Sequence, residues 1–218
     1  MKFIKLSIFL FFLNSISIFA QDINQFDANG KRHGIWKKTF DKTNVLRYEG
    51  AFLNGKEIGL FKFYKNIKNK AILTASKQFN KNNNIAEVKF YTPKGKVISE
   101  GQMDGKTYIG TWKYYQKNSE QLLILEHFDN SGNLNGERFV YYENSQIAEK
   151  QNYKEGKLDG ISLWYSETGT VLKEFVYLNT LKKVIKTKKS LNCLRDLFLI
   201  DNFNCLQSTN QTNLLTRR

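Results

Sequence analysis

The sequence reads Asn-Gly-Lys-Glu-Ile-Gly-Leu-Phe-Lys-Phe-Tyr from Asn54 to Tyr64, and related phrases recur along the chain. Asn-Gly is a dipeptide that favours two-residue hairpin turns, because both positions tolerate a positive φ. The residues after the second glycine, Gly59, include Phe and Tyr, which suit a β-strand. The stretch therefore predicts a hairpin turn followed by a strand.

This phrase occurs six times. The first glycine of each unit, or the residue that replaces it, stands at positions 30, 55, 82, 105, 132 and 156, which gives a period of about 25 residues. A second turn within each unit, such as Thr168-Gly169, leads into a second strand. A lone hairpin is barely stable in water, so each must pair with its neighbours. The repeat predicts an all-β chain, an elongated single-layer array of antiparallel β-hairpins.

The repeated phrase, Gly-Lys-x-x-Gly-x-Trp/Phe-x-x-Tyr, resembles the MORN repeat. It is most similar to the variant repeats of exported bacterial proteins that are often labelled toxin–antitoxin system antitoxin component. The resemblance covers about residues 26–180 and implies a scaffold or binding surface without a shared catalytic site. Four residues depart from the pattern: Asn82 and Ala86 replace glycines, and Arg138 and Ser162 replace apolar residues. The fourth unit also has one extra residue between its glycines.

Five of the six repeats contain a second glycine, which we expect in a turn or at a strand entry where a side chain is disfavoured. These glycines are Gly34, Gly59, Gly110, Gly136 and Gly160. Residues two and four positions later share one strand face and are predicted to form the core. The core pairs are Phe61 with Phe63, Val88 with Phe90, and Trp112 with Tyr114.

A tyrosine follows five positions after the second glycine or its replacement. The five tyrosines are Tyr64, Tyr91, Tyr115, Tyr141 and Tyr165. Their odd offset places them on the strand face opposite the core, with Lys62, Lys89 and Lys113 on the same side. Tyrosine provides contact area at low entropic cost, so this column is a candidate binding face for a protein or glycan. The alternative is a second core, covered by another layer or by the tail.

The first 20 residues have the layout of a secretory signal peptide. Lys2 and Lys5 precede an apolar run, and Ala20 offers a cleavage point. We therefore expect residues 1–20 to be removed, leaving residues 21–181 as the repeat domain of an exported protein that is periplasmic, surface-bound or secreted. An uncleaved anchor is the alternative, although about fifteen apolar residues are short for a bilayer. We expect no transmembrane span in the mature chain.

Residues 182–218 form a basic tail with eight Lys or Arg and two Asp, a net charge of +6. We expect the tail to be partly disordered or to cap the last hairpin through a short helix starting at Ser190. Cys193 and Cys205 lie in this tail. Export would permit a disulfide between them, and two independent thiols are the alternative.

The composition disfavours catalysis. Two His and two Cys in 218 residues are too few for a Cys/His zinc module and give little general-base capacity. The two histidines, His33 and His127, lie in different repeat phases. We expect no enzymatic activity, no metal and no cofactor.

The whole chain carries a net charge of +14. Such a charge attracts acidic lipids and envelope polymers, although a solvated Lys surface is the plainer explanation. We predict an exported binding or scaffold module whose partner is another protein or an envelope polymer, with no nucleic acid expected. Two alternatives remain: an envelope-associated protein held by its basic tail, and an antitoxin-like protein that binds a partner.

Overall fold

The computed structural model describes residues 22–178 and 181–184. All the regular secondary structure of these residues is β-strand. The expected signal peptide lies outside these residues, as do both cysteines and the expected capping helix. No helix that could cross a membrane is found in the part of the chain that the structure describes. The chain divides into two compact units, residues 22–84 with 93–95 (unit 1) and the remaining described residues (unit 2).

Unit 1 is one antiparallel sheet whose strands follow each other in chain order. Its strands are β1 (Gln25–Phe26), β2 (Arg32–Thr39), β3 (Leu46–Leu53), β4 (Lys56–Ile67) and β5 (Lys70–Phe79). Asn54 and Gly55 join β3 to β4, with φ of 52° and 87°. Both values fit the two-residue turn that Asn-Gly predicts.

Unit 2 continues the same pattern of consecutive antiparallel strands. Its strands are β6 (Ile85–Tyr91), β7 (Val97–Asp104), β8 (Thr107–Tyr115), β9 (Leu122–Phe128), β10 (Gly136–Tyr141), β11 (Ile147–Lys154), β12 (Lys157–Leu158), β13 (Gly160–Tyr165), β14 (Val171–Leu178) and β15 (Leu181–Val184). The short β12 pairs with β11 beside β13. The all-β hairpin array predicted from the repeats is confirmed.

The boundary between the units falls between Asn84 and Ile85, inside the third repeat. This is the repeat in which Asn82 and Ala86 stand in place of glycines. This boundary lies within residues 21–181, the range predicted from the sequence as the repeat domain.

The five repeat glycines all have positive φ, from 64° to 101°. Gly34, Gly59 and Gly110 lie inside strands, and Gly136 and Gly160 begin β10 and β13. A residue with a side chain is strained in this region of φ, which explains why glycine recurs.

The buried residues two positions after these glycines, or after Ala86 in the third repeat, define one face of each sheet, which we call the core face. Phe61 in unit 1 is 2% exposed, and Val88 and Trp112 in unit 2 are 1% and 0% exposed. Phe61 also contacts Phe63, with ring centroids 6.1 Å apart, as the two-residue period predicts. The opposite side of each sheet is the outer face.

In both unit 1 and unit 2, a glycine lies directly against a buried aromatic ring of the core face. Phe61 packs on Gly50, and Trp112 packs on Gly101; a Cβ built on either glycine would lie 2.5 Å from the ring. Each glycine lies one residue beyond a cross-strand pair, Glu49 with Lys62 or Glu100 with Lys113. The glycine is thus required by the aromatic residue on the next strand.

Candidate binding surfaces

The five repeated tyrosines lie on the outer faces of their units. They occupy β4, β6, β8, β10 and β13, and each alternates with core-face residues of its strand. All five are half-buried, neither enclosed nor freely exposed. The tyrosine column is therefore partly accessible to a partner, and it is not a fully buried second core.

Two of the tyrosines are held by carboxylates at equivalent places in the repeat. The Tyr64 hydroxyl donates to Glu49 Oε1 at 2.7 Å, and the Tyr115 hydroxyl donates to Glu100 Oε1. Burial, reinforced by these hydrogen bonds, raises the pKa of Tyr64 and of Tyr115 to about 12. The bond from Tyr115 is in turn the main cause that holds the pKa of Glu100 below its usual value.

Lysines surround the same carboxylates. Lys89 Nζ lies 3.0 Å from Glu100 Oε2, and Lys37 and Lys62 lie 3.7 and 3.9 Å from Glu49. Each tyrosine thus belongs to a fixed hydroxyl–carboxylate–ammonium group. The sequence pattern placed Tyr64, Tyr115, Lys62 and Lys89 on this face but missed Lys37 and the two glutamates. The glutamates lie 15 residues before their tyrosines, on a neighbouring strand.

Tyr141 and Tyr165 are held differently. Tyr141 stacks on Phe139, with ring centroids 6.2 Å apart, and burial raises its pKa. The backbone carbonyl of Tyr165 accepts a hydrogen bond from the Tyr142 hydroxyl at 2.7 Å, which ties the fifth repeat to the sixth.

Two grooves open on the outer face of unit 2. The first, of about 490 Å³, crosses β6, β7 and β8; the second, of about 520 Å³, crosses β10, β11 and β13. Six lining positions correspond between them, each pair 50 residues apart: Glu87 and Glu137, Glu100 and Lys150, Gln102 and Asn152, Gly110 and Gly160, Thr111 and Ile161, Lys113 and Leu163. The groove is therefore a feature of the repeat itself.

A repeat glycine lines each groove and, having no side chain, leaves part of the groove open. Gly110 and Gly160 have φ of 64° and 93°, and the nearest side-chain atom to a Cβ at either would be an amide atom, of Gln102 or Asn152, at 3.4 Å. The rest of the lining differs, because Thr111 and Lys113 give way to Ile161 and Leu163. The first groove is charged and the second is largely apolar.

The core face of unit 2 contains a polar cluster where other repeats have an aromatic residue on a glycine. Arg138 stands at the position of Phe61 and Trp112, and Glu126 stands at the position of Gly50 and Gly101. Arg138 Nε donates to Glu126 Oε2 at 3.2 Å. An ion pair thus replaces the aromatic–glycine contact.

Neighbouring strands complete this Arg138 cluster. Arg138 Nη1 donates to Gln151 Oε1 at 3.1 Å and lies 3.7 Å from Glu149 Oε2, while Trp164 Nε1 donates to Glu149 Oε1 at 2.9 Å. Burial, followed by a hydrogen bond to Glu126, raises the pKa of Tyr114 beside it. The cluster satisfies its own polar atoms and links β9, β10, β11 and β13.

The two histidines lie in different units. His33 is exposed in β2, and His127 in β9 has its Nδ1 3.0 Å from Thr111 Oγ1. Within the described residues, no group of three or more His, Cys, Asp or Glu side chains is placed to hold a metal ion.

The net charge divides sharply between the units. Residues 22–84 with 93–95 carry 14 basic and five acidic residues, a net charge of +9. Residues 85–92 with 96–178, the part of unit 2 that precedes the basic tail, carry ten basic and 13 acidic residues, a net charge of −3. The net charge of the two ranges together, +6, does not show this division.

Residues 134–155 and 158–179 match the family described as MORN repeat variant, as two consecutive repeats. The resemblance to the MORN repeat is confirmed for these two repeats. No curated protein matches the chain.

Two solved structures show limited likeness. One is a mutant of S. aureus TarM in complex with fondaparinux, α-GlcNAc-glycerol and UDP, with 12% identity and a TM-score of 0.28 over 54% of this chain and 19% of that one. The other is the ASR alternansucrase in complex with isomaltononaose, with 14% identity and a TM-score of 0.17 over 75% of this chain and 15% of that one. This chain thus spans less than a fifth of either protein. Residues 134–179 carry two repeats of the MORN variant type.

Proposed function

We infer that the chain is an exported, non-enzymatic binding module that holds a partner protein against the outer face of its hairpin array. One observation carries this proposal: a tyrosine recurs at the same place in five repeats, on the face away from the core, and is only partly buried each time. Packing alone does not require a large amphipathic side chain at a partly buried position.

The spacing of the tyrosines suits an extended contact. In unit 2 they lie on β6, β8, β10 and β13, which are two strands apart in the sheet order. Strands lie about 4.8 Å apart, so successive tyrosines are about 10 Å apart. Tyrosine is enriched in binding surfaces because it offers a rigid, amphipathic contact with few rotatable bonds.

Site-specific photocrosslinking in the native cell tests the proposal. A photoreactive phenylalanine analogue replaces Tyr91 or Tyr141 in separate variants, and Lys106, exposed in the β7–β8 turn, serves as the control position. We expect both outer-face variants to crosslink to the same protein and the Lys106 variant to give much less of that product. Equal crosslinking from all three positions, or none from the tyrosines, would contradict the proposal.

The charge division favours a second candidate function, recruitment to an anionic surface of the cell envelope. Unit 1 has a net charge of +9, and the residues from Lys182 onward add +6. Exposed basic residues gather where β2 meets β3 and where β4 meets β5: Lys38, Lys42, Arg47, Lys65, Lys68 and Lys70. Attachment of this kind weakens as ionic strength rises, whereas a tyrosine-centred contact depends on salt much less.

A further inference from the structure

We propose that the two grooves of unit 2 bind a single extended polypeptide segment of another protein, with an acidic side chain in the first groove and a large apolar side chain about six residues away in the second. This inference rests on the proposed binding function and specifies its ligand. It follows from the chemistry of the two linings and from the distance between them.

The second groove is built for an apolar side chain. Ile161, Leu163 and Tyr165 line it from β13. At its rim, Lys150 Nζ pairs with Glu137 Oε1 at 2.6 Å, so these two charges compensate each other. An apolar pocket with a few polar groups at its edge is the usual setting for an anchoring hydrophobic residue.

The first groove presents a cation. Glu100 is engaged by Lys89 and by Tyr115, and Glu87 accepts a hydrogen bond from Gln102 Nε2 at 3.1 Å. Lys113 is exposed, and it takes part in none of the ion pairs found among the described residues. Its charge helps to lower the pKa of Glu100 on the neighbouring strand, but only after the closer contacts of Tyr115 and Lys89. Lys113 is therefore the cation of this groove that a partner carboxylate can pair with.

The repeat places these two residues at the same point of their grooves. Lys113 and Leu163 are 50 residues apart and lie at corresponding positions of β8 and β13, each paired with the strand before it, to Glu100 and Lys150 respectively. The two linings also differ at Glu100 and Lys150 and at Thr111 and Ile161. Lys113 and Leu163 supply the exposed cation and an apolar side chain at the same point of their grooves, so exchanging them should exchange the preferences.

The spacing sets the length of the segment. Strands β8 and β13 are four steps apart in the sheet order, which is about 19 Å at about 4.8 Å per step. An extended chain advances about 3.3 Å per residue, so about six residues connect the two grooves.

Selection from a random peptide display library tests the proposal with the full chain as bait. We expect enriched peptides to contain an acidic and a large apolar residue five to seven positions apart, in one preferred order. The exchange variant, Lys113→Leu with Leu163→Lys, should select the same spacing in the reverse order. Leu172→Lys, an exposed position outside both grooves, should select the wild-type motif.

Single variants keep the test decisive if the exchange variant does not fold. Against a peptide selected on the wild type, Lys113→Leu should weaken binding about two- to fivefold, as for an exposed ion pair, and Leu163→Lys about tenfold or more. An unchanged motif order in a folded exchange variant, unchanged affinity in the single variants, or no enriched motif would overturn the proposal. A partner crosslinked in cells without such a motif would overturn the groove pair alone and leave the binding function standing.

Discussion

At the scale of single residues, the tyrosines show which part of a site a repeat pattern can predict. The offset of five from the repeat glycine was enough to place Tyr64 and Tyr115 on the outer face, because side chains alternate along a strand. It could not identify Glu49 and Glu100 as their partners, since those contacts depend on the register between strands. The face on which a side chain lies can be predicted from one strand, whereas its hydrogen-bond partner can be predicted only from the pairing of two strands.

The bond between Tyr115 and Glu100 makes a prediction about acidity. Removing the hydroxyl in Tyr115→Phe takes away the main cause of the lowered pKa of Glu100, so that pKa should rise towards 4.5. The carboxyl signal of Glu100 in an NMR titration measures it. Tyr141→Phe, which alters a tyrosine stacked on Phe139, is the control and should leave the pKa of Glu100 unchanged.

The same variant should lose stability in a pH-dependent manner. A carboxyl whose pKa is lower in the folded state stabilises the fold above its unfolded pKa, and this contribution disappears as pH falls through the folded pKa. Tyr115→Phe should therefore lower the free energy of unfolding by about 1 kcal/mol at neutral pH and by less in acid. An equal loss at both pH values would show that the hydroxyl acts independently of the charge on Glu100.

At the scale of elements, neighbouring strands are matched by a pair of core-face residues, one on each strand. Phe61 needs Gly50, Trp112 needs Gly101, and Arg138 has Glu126 instead. The sequence showed that Arg138 departs from the pattern. It did not show the compensating change at Glu126. This residue lies before the glycines of the fifth repeat, and it contacts Arg138 only because β9 pairs with β10.

A double-mutant cycle tests whether the two residues are exchanged as a unit. Arg138→Trp alone should be destabilised, because the ring meets the Glu126 side chain and two carboxylates lose their guanidinium. Glu126→Gly alone removes one partner of Arg138. The double variant restores the aromatic–glycine arrangement, so we expect a favourable coupling of about 1–3 kcal/mol in urea unfolding.

The matched comparison uses the repeat before. Gly101→Ala should be strongly destabilising by itself, since its Cβ would lie 2.5 Å from Trp112. If the effects of Arg138→Trp and Glu126→Gly are simply additive, the Arg138 cluster is not an alternative to the aromatic–glycine pair.

At the scale of the whole molecule, the repeat predicted the architecture but not the division of the chain. Turn dipeptides and aromatic runs specify local hairpins, so the order of strands follows directly from the sequence. The division near Asn84 coincides with a decayed repeat, yet the loss of two glycines does not by itself specify a boundary there. The charge asymmetry became visible only when residues were grouped by unit, with +9 in unit 1 and −3 in residues 85–92 and 96–178 of unit 2.

This asymmetry places the anionic contact of the second candidate function on a particular edge of unit 1. The β4–β5 hairpin extends beyond the pairing of β4 with β3, which reaches only Phe63, and its tip carries Lys65, Lys68 and Lys70 around the exposed Ile67. A lysine close to an anionic bilayer contributes about 1 kcal/mol to binding. A protruding tip brings three of them to the surface together.

Sedimentation with vesicles that contain anionic lipid should therefore be sensitive to this tip. Reversal of Lys65, Lys68 and Lys70 to Glu should weaken binding about a hundredfold or more. Reversal of Lys31, Lys56 and Lys81, at the other edge of the same unit, makes an equal change in net charge and should weaken binding much less. Wild-type binding should also fall steeply between low and moderate ionic strength. If both triple variants lose affinity equally, net charge alone drives attachment. If neither triple variant loses affinity, and Lys186→Gln with Lys188→Gln and Lys189→Gln abolishes binding to the vesicles, the contact lies in the tail.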